Sequence, residues 1–567
     1  MPKIVTVEQM RAIEQASDAK GHSYADMMEL AGRAVAERVK ELVFGIPEPR
    51  IAILVGPGNN GGDGLVAGRI LAEELENASV GAFLLKLRGD DDEVFVKARE
   101  AGVFLGDAEN DKGFRVLQNL VGNADVVIDA LFGTSLRLPI EGDAAKVLQA
   151  ANKALTTRRK ERPAPPFTTP ADPAGDTARP GPIIVAVDCP SGLDCDTGVL
   201  DKHALPAHET VTFAAAKPGL FTLPGAAAVG RLHVGNIGLP DKLPELDGIT
   251  LTLVDAAEVA ARLPERPIDS HKGTFGKTMV VAGSLNYTGA AYLAGSGAYR
   301  VGAGLVTVAA PQIIVPILAG MLPEATWLLL PHTMGVLNEA AVKVLRKELE
   351  GYRALLLGPG FGREDTTGEF MRELLQHKEE IRHSRAIGFV PLENEALNEP
   401  DNAQLPPLVI DADGLNLLSG MDDWPKLVPP NTILTPHPGE FGRLAHLETG
   451  DVQANRLALA QEKAAEWKCI VVLKGAFTVI AAPDGRAALL PFATSALASA
   501  GTGDVLAGAI VGLLAQGLDP FDAALAGGWL HGMAGERAAQ MFGTTASVTA
   551  GDVLDLLPDA YALAESA

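Results

Sequence analysis

Two segments of this 567-residue chain bring glycine-rich backbone up against a carboxylate. In the second half, Ala498-Ser499-Ala500-Gly501-Thr502-Gly503-Asp504 runs into the apolar stretch Val505-Leu506-Ala507-Gly508. A loop that opens a helix presents unpaired N–H groups and the positive end of the helix dipole, which suits a phosphoryl group. An aspartate there can accept the proton of an attacking hydroxyl, and phosphoryl transfer needs mainly such positioning and charge stabilisation. In the first half, Gly56-Pro57-Gly58-Asn59-Asn60-Gly61-Gly62-Asp63-Gly64 holds five glycines in nine positions. Such a loop can turn with positive φ and approach a ligand closely. It matches neither a Walker loop nor the GxGxxG fingerprint.

Neither segment stands alone. Asp129 closes the apolar run 125–129 and precedes Gly133-Thr134-Ser135-Leu136-Arg137-Leu138-Pro139, and Asp188 closes 183–188 and precedes Cys189-Pro190-Ser191-Gly192. In the second half, Gly358 to Arg363, Asp411-Ala412-Asp413-Gly414, Thr435-Pro436-His437-Pro438-Gly439-Glu440 and Lys474-Gly475-Ala476-Phe477-Thr478 each follow an apolar run. Taken singly these are turns or helix caps, and His437 reads equally well as a capped core histidine. Lys474 could grip a nucleotide phosphate.

The elements that must position these groups are short apolar strands alternating with helical stretches. Residues 8–43 and 65–75 read as helices, and 51–55, 125–129 and 183–188 as buried parallel strands. The alternation resumes at 278–282, 305–309, 354–357, 408–411, 432–434 and 470–473, with helices from 503. This is the signature of βαβ units and parallel sheets, in which ligands bind beyond the carboxyl ends of the strands. The Pro-rich stretch 240–268 places a domain boundary near residue 245, giving domains 1–245 and 246–567 with 246–270 partly linker. Segments 156–182 and 391–406 are polar and read as exposed insertions.

Composition narrows the function. Forty-eight basic against 71 acidic residues give a net charge of −23, which disfavours nucleic acid and anionic membranes as partners. Three cysteines, Cys189, Cys195 and Cys469, with no CxxC, offer neither a disulfide framework nor a zinc site. With no apolar run of roughly 18–20 residues and no signal-peptide core at the N-terminus, the expected location is cytoplasmic.

VGPGNNGGDG, DALFGTSLRLP and AVDCPSGLD, in this order, with MMELAG at 27–32 and FAAAKPG at 213–219, resemble the NAD(P)H-hydrate epimerase family over residues 1–240. The resemblance implies a Rossmann-like three-layer α/β domain. Asn59, Asn60, Gly61, Gly62 and Asp63 would bind the hydrated cofactor, with Gly133, Thr134, Ser135, Leu136, Arg137, Leu138 and Pro139 contacting it from a second loop. Asp188 would act as acid and base, with Lys217 as a partner. Asn60, Asp129 and Ser191 would ligate K⁺.

The second-half loops, with HKGTFGKTMVVAGS and TGAAYLAGSGAYRVGAGLVTV at 271–308, resemble the ribokinase-like fold and, within it, the NAD(P)H-hydrate dehydratase family over residues 265–560. The resemblance implies a C-terminal ribokinase-like α/β domain. In it Ala290, Gly362, His437 and Asp504 would meet the hydrate, with Asp504 as base. Lys474, Gly475, Ala476, Phe477, Thr478 and Gly503 would bind nucleotide. ADP with Mg²⁺ is the expected co-substrate, NADH and NADPH hydrates the small-molecule substrates, and a homo-oligomer the expected assembly. A ribokinase-like small-molecule kinase joined to a nucleotide-binding module remains the alternative, as does a first half that serves only for binding or assembly.

Overall fold

The computed structural model describes residues 2–161, 181–376 and 405–567. They form two compact units, 2–249 and 250–567.

The first unit is built on seven parallel strands: β1 (Arg50–Val55), β2 (Ser79–Leu84), β3 (Phe104–Asp107), β4 (Val126–Ala130), β5 (Ile183–Val187), β6 (Glu209–Phe213) and β7 (Arg231–Gly235). Their order is β3-β2-β1-β4-β5-β6-β7, the doubly wound arrangement in which strand order reverses between β1 and β4. Alternate residues of β1 enter different cores. Ile51, Ile53 and Val55 pack with Val35 and Ile70, while Ala52 and Leu54 pack with Leu117 and Leu148. A continuous apolar strand buried on both faces requires this three-layer arrangement, so the unit is Rossmann-like.

The second unit holds β8 (Leu251–Leu253), β9 (Lys277–Val281), β10 (Leu305–Pro311), β11 (Thr326–Leu330), the hairpin β12 (His332–Thr333) and β13 (Val336–Leu337), β14 (Ala354–Leu357), β15 (Leu408–Ile410), β16 (Ile433–Leu434), β17 (Ile470–Leu473), β18 (Val479–Ala481) and β19 (Ala487–Leu489). Ten of them form one sheet in the order β11-β10-β9-β14-β15-β16-β17-β18-β19-β8. It is parallel from β11 to β17 and turns antiparallel at β18. This is the mixed α/β sheet expected of a ribokinase-like domain.

Helix Thr502–Ala515 is apolar on nearly every side and is buried accordingly. It crosses helix Thr288–Arg300 through small residues. A Cβ on Gly508 would lie 2.2 Å from the Ala294 carbonyl oxygen, and one on Gly512 2.7 Å from that of Ala298. Glycine therefore lets the two backbones touch, and the crossing sets the depth of the Asp504 turn.

Two readings are refined. The stretch 246–270, read as partly linker, holds the end of helix Pro244–Asp247, β8 and helix Ala256–Ala260, because β8 completes the second sheet's edge against β19. Residues 156–161, read as the start of an insertion, end the helix Gly142–Glu161, which the buried Ala151, Ala154 and Leu155 anchor. The remainder of that segment to 180, and 391–404 of the other, lie outside the described residues. Among the described residues no helix is long and apolar enough to cross a membrane.

Candidate functional sites in the two units

In the first unit the chain leaves β1 through Gly56-Pro57-Gly58 and enters helix Asn59–Glu74 directly. Asn59 to Gly64 are thus helical turn, where the sequence suggested loop, and none of the five glycines has positive φ. Their use is close approach. A Cβ on Gly61 would lie 2.0 Å from the Gly56 carbonyl oxygen, and one on Gly64 2.5 Å from Ala130 Cβ. The helix N-terminus is thereby pressed between the ends of β1 and β4. Arg88 secures the turn, donating to the carbonyls of Gly56 and Gly58 at 2.8 Å each and pairing with Asp92 at 2.7 Å.

The loop Gly133 to Pro139 follows β4 on the same side. Arg11 reaches Ser135 Oγ at 3.3 Å, and a Cβ on Gly133 would meet Asn60 Oδ1 at 3.0 Å, so Asn60 and this loop are neighbours. Asn60 Nδ2 is buried without a hydrogen-bond partner. Asp129, fully buried, accepts from Ser191 N at 2.8 Å and Ser191 Oγ at 2.7 Å, and Ser191 Oγ accepts from Phe132 N at 3.0 Å. Burial pushes the Asp129 carboxyl up to about 6 against those hydrogen bonds.

Asp188 sits just past β5 at φ +64°, a left-handed conformation that aspartate tolerates better than most residues. Its Oδ1 takes the Lys217 ammonium at 2.5 Å and the Thr212 hydroxyl at 3.0 Å, and Lys217 also donates to Thr212 at 2.8 Å. Lys217 is 1% exposed. Burial pulls its ammonium down, but the Asp188 charge and hydrogen bond outweigh it and hold it above the usual lysine range. Asp63 and Glu14 are both held above the usual carboxylate range, by burial first and the Asp188 charge second. A carboxyl raised in this way holds its proton more tightly than an ordinary one, which suits a proton donor. Glu14, Thr212 and Arg88 were not singled out in the sequence. Glu14 lies in helix Val7–Ala19, far along the chain from any loop motif.

In the second unit the ends of β14 to β17 are stitched together. Lys474 N donates to Pro436 O at 2.9 Å and Thr435 N to Ile410 O at 3.2 Å. Asp411 is 1% exposed, and its Oδ1 accepts from Thr435 Oγ1 at 2.6 Å and from Lys474 Nζ at 2.8 Å. Its Oδ2 is buried without a partner, 3.8 Å from where a Cβ on Gly503 would stand. Lys474 Nζ also lies 3.9 Å from Glu440 Oε2. The Lys474 ammonium, read from sequence as a free phosphate grip, is thus already tied to Asp411.

Gly501 caps helix Thr502–Ala515 in the left-handed region, φ +89°, so the GTGD segment does turn into a helix. Asp504 in that first turn is pushed up to about 7, by burial and then by Asp411, with Lys474 opposing. The buried His531 ring lies 2.8 Å from the Thr502 carbonyl oxygen, and burial pushes it down to about 4, so at neutral pH it is an uncharged donor to that oxygen.

His437 caps helix Pro438–Ala445: its Nδ1 accepts from Gly439 N at 3.0 Å and Glu440 N at 3.4 Å. With Nδ1 as acceptor the donor nitrogen is Nε2, which lies 3.4 Å from Glu440 Oε1. Gly362, at φ +82°, donates its N–H to Asp413 Oδ2 at 3.0 Å, and Arg363 Nε reaches Asp413 Oδ1 at 3.0 Å. Ala290 lies in helix Thr288–Arg300, and a Cβ on Gly360 would meet its Cβ at 2.7 Å. Ala290 is therefore a neighbour of the Gly360–Gly362 loop, while Asp411, Lys474 and Asp504 form a charged cluster of their own. In the Lys474–Thr478 loop, Gly475 is at φ +143° and Phe477 at φ +51°, and Thr478 Oγ1 donates to Gly475 O at 2.9 Å.

Residues 24–219 match the family described as YjeF-related protein N-terminus, and residues 278–559 that described as NAD(P)H-hydrate dehydratase. A bifunctional NAD(P)H-hydrate repair enzyme of Moorella thermoacetica is 37% identical over 94% of this chain and 91% of its own length. Those of Thermofilum pendens (33%, over 98% of this chain and 96% of its own length) and Escherichia coli (31%, over 94% and 89%) are also similar. Among solved structures, the ADP/ATP-dependent NAD(P)H-hydrate dehydratase of Bacillus subtilis, co-crystallised with ATP and Mg²⁺, is 31% identical over 55% of this chain and 99% of its own, with a TM-score of 0.44.

Proposed function

The chain belongs to the bifunctional NAD(P)H-hydrate repair enzymes, and from that membership we propose how its residues divide the work. The enzyme epimerises the R and S forms of hydrated NADH and NADPH and dehydrates the S form at the expense of ADP, giving AMP and phosphate.

Epimerisation must break the bond between the hydrated ring carbon and its hydroxyl oxygen and remake it from the other face. The hydroxyl leaves as water after gaining a proton, and the returning water surrenders one, so no proton is gained or lost overall. Asp188 is the base, with Lys217 and Thr212 fixing Oδ1 and leaving Oδ2 to the substrate. Asp63, whose carboxyl burial holds above the ordinary range, would supply the proton. Asn59 to Asp63 and Gly133 to Pro139 bind the hydrate. Asn60, Asp129 and Ser191 offer an amide oxygen, a carboxylate and a hydroxyl, a hard-oxygen set that fits K⁺, while the unpartnered Asn60 Nδ2, a donor, is left to an oxygen of the substrate. Bound K⁺ would order the two loops around the substrate.

In the second unit Asp504 takes the proton of the hydrate's hydroxyl as that oxygen attacks the terminal phosphoryl group of ADP, and AMP leaves. Loss of the phosphate with the neighbouring ring proton then restores the double bond. The N–H groups at Gly503 and Asp504 stabilise the transferring group. Lys474 to Thr478 and Gly503 hold the nucleotide, and Ala290, Gly362 and His437 the hydrate. Mg²⁺ would screen the nucleotide phosphates, and the unpartnered Asp411 Oδ2 suits a water of such an ion. The single observation carrying this half is Asp504, titrating near neutrality at the first turn of a buried helix beside Lys474 and Asp411.

The exposed Ile317, Met321, Leu329 and Met334 lie on and around the edge strand β11, and we place a homo-oligomer contact there. Its substrates and co-substrate are consistent with a cytoplasmic enzyme. The deciding experiment follows absorbance at 340 nm on a mixed-epimer NADPH hydrate with K⁺, Mg²⁺ and ADP. Wild type recovers the full band, Asp188→Asn stops part-way, and Asp504→Asn shows none. Full recovery in Asp504→Asn would overturn the assignment of the base.

A further inference from the structure

Behind the nucleotide loop lies a cation that the reaction described above does not use. Arg456 opens helix Arg456–Trp467, the end at which the helix dipole disfavours positive charge. Its Nη2 donates to Leu473 O at 2.9 Å, and its Nη1 to Lys474 O at 3.2 Å and Gln453 Oε1 at 3.3 Å. Gly475 passes so close that a Cβ there would stand 2.8 Å from Nη1. Among the described residues no carboxylate pairs with this guanidinium, and burial alone pushes it down, to about 10. The comparison with Arg88 is instructive. Both arginines donate to two carbonyls of a strand-end turn, but Arg88 has Asp92 to balance its charge. A largely buried cation with no counter-ion is costly unless an anion arrives.

We propose that Arg456 is a positioning residue for the nucleotide, clamping the carbonyls of Leu473 and Lys474 so that the Lys474–Thr478 loop keeps its shape against the phosphates of a nucleoside diphosphate, whose charge balances its own. The inference rests on the assignment of that loop to the nucleotide. The N–H groups of the two clamped peptides are held as well, Lys474 N by Pro436 O at 2.9 Å and Gly475 N by Thr478 Oγ1 at 3.3 Å, so the start of the loop is fixed on both sides. The glycine at position 475 is then required twice, by its φ of +143° and by the guanidinium against it. Lysine in place of Arg456 would keep the charge but lose the planar two-pronged grip on two carbonyls.

The test measures the dehydratase steady state in the full chain for wild type, Arg456→Lys and Arg456→Gln, with AMP binding by calorimetry and thermal melting alongside. In Arg456→Gln the KM for ADP and the Kd for AMP should rise on the order of 10-fold or more, as expected for loss of charge-assisted hydrogen bonding. Its kcat and its KM for the hydrate should change by no more than about 3-fold, and Arg456→Lys should fall between the two. A merely structural arginine would lower the melting temperature and leave KM for ADP and Kd for AMP at wild-type values, and that result overturns the proposal. If Arg456→Gln does not fold, the KM of Arg456→Lys decides in the same way. A wild-type chain that neither binds AMP nor needs ADP would sink the nucleotide assignment itself, whereas normal binding in both wild type and variants would sink only the role of Arg456.

Discussion

As the proposed base, Asp504 must be ionised, yet its surroundings favour its protonated form. With the carboxyl pushed up to about 7, dehydratase kcat/KM should rise with pH about tenfold per unit below 7 and level off above it. Asp411→Asn removes the like charge that is the second cause of this shift and also frees Lys474 from its main partner. Both effects favour ionised Asp504, so the acid limb should move to lower pH, even though the maximal rate drops. An unmoved limb would mean that the two carboxyls do not sense each other. His531 tests the same turn through stability. The folded protein holds it neutral down to about 4, against an ordinary value of 6.5. Its contribution is full above pH 6.5 and is lost as pH falls towards 4, because only the unfolded chain takes up the proton, a swing of roughly 3 kcal/mol. Melting followed between pH 7 and 4 should show this loss, and His531→Asn should flatten it. The strand-end carboxylates could be read from sequence because each follows an apolar run and precedes glycine. Glu14 and Arg456 could not, since each sits within an ordinary helical pattern and acquires its setting only through the fold.

Among the elements, glycine is the recurrent device, and its use differs from what composition suggests. The Gly56–Gly64 turn needs no left-handed backbone; it needs absent side chains. The same holds where helices Thr288–Arg300 and Thr502–Ala515 cross. Alanine for glycine in a helix normally stabilises by about 1 kcal/mol. At Gly508 the sign should reverse, because the added methyl meets the Ala294 carbonyl, which is backbone and cannot swing aside. Gly508→Ala should cost roughly 1–3 kcal/mol and reduce dehydratase turnover, while epimerase activity is untouched. A variant more stable than wild type would contradict the crossing. The central strands were legible as continuous apolar runs flanked by glycine. Strands β18, β19 and β8 were not: at three residues each, they are too short to carry a period, and only pairing along a long sheet makes them strands.

For the whole molecule, the two units each own a sheet and a set of strand-end residues, and every assigned role falls within one unit. Residues 1–249 and 250–567 produced as separate chains should therefore each retain one activity: mixed together they should restore the full 340 nm band, and alone the second should restore only the S fraction at its intrinsic rate. Loss of both activities on separation would show that the units depend on each other to fold. The Pro-rich change of rhythm from which a boundary near residue 245 was expected contains the division between 2–249 and 250–567, and the pairing of β8 with β19 had no signal in the sequence.

Strand β8 gives the chain a timetable. It is the first strand of the second unit to leave the ribosome, yet Thr252 lies 235 residues from Ala487, beside which it finally settles. At about 5–20 residues per second the nascent chain must carry Leu251–Leu253 unpaired for roughly ten to fifty seconds. Its short length, three residues, leaves little edge to recruit a neighbouring nascent chain while it waits.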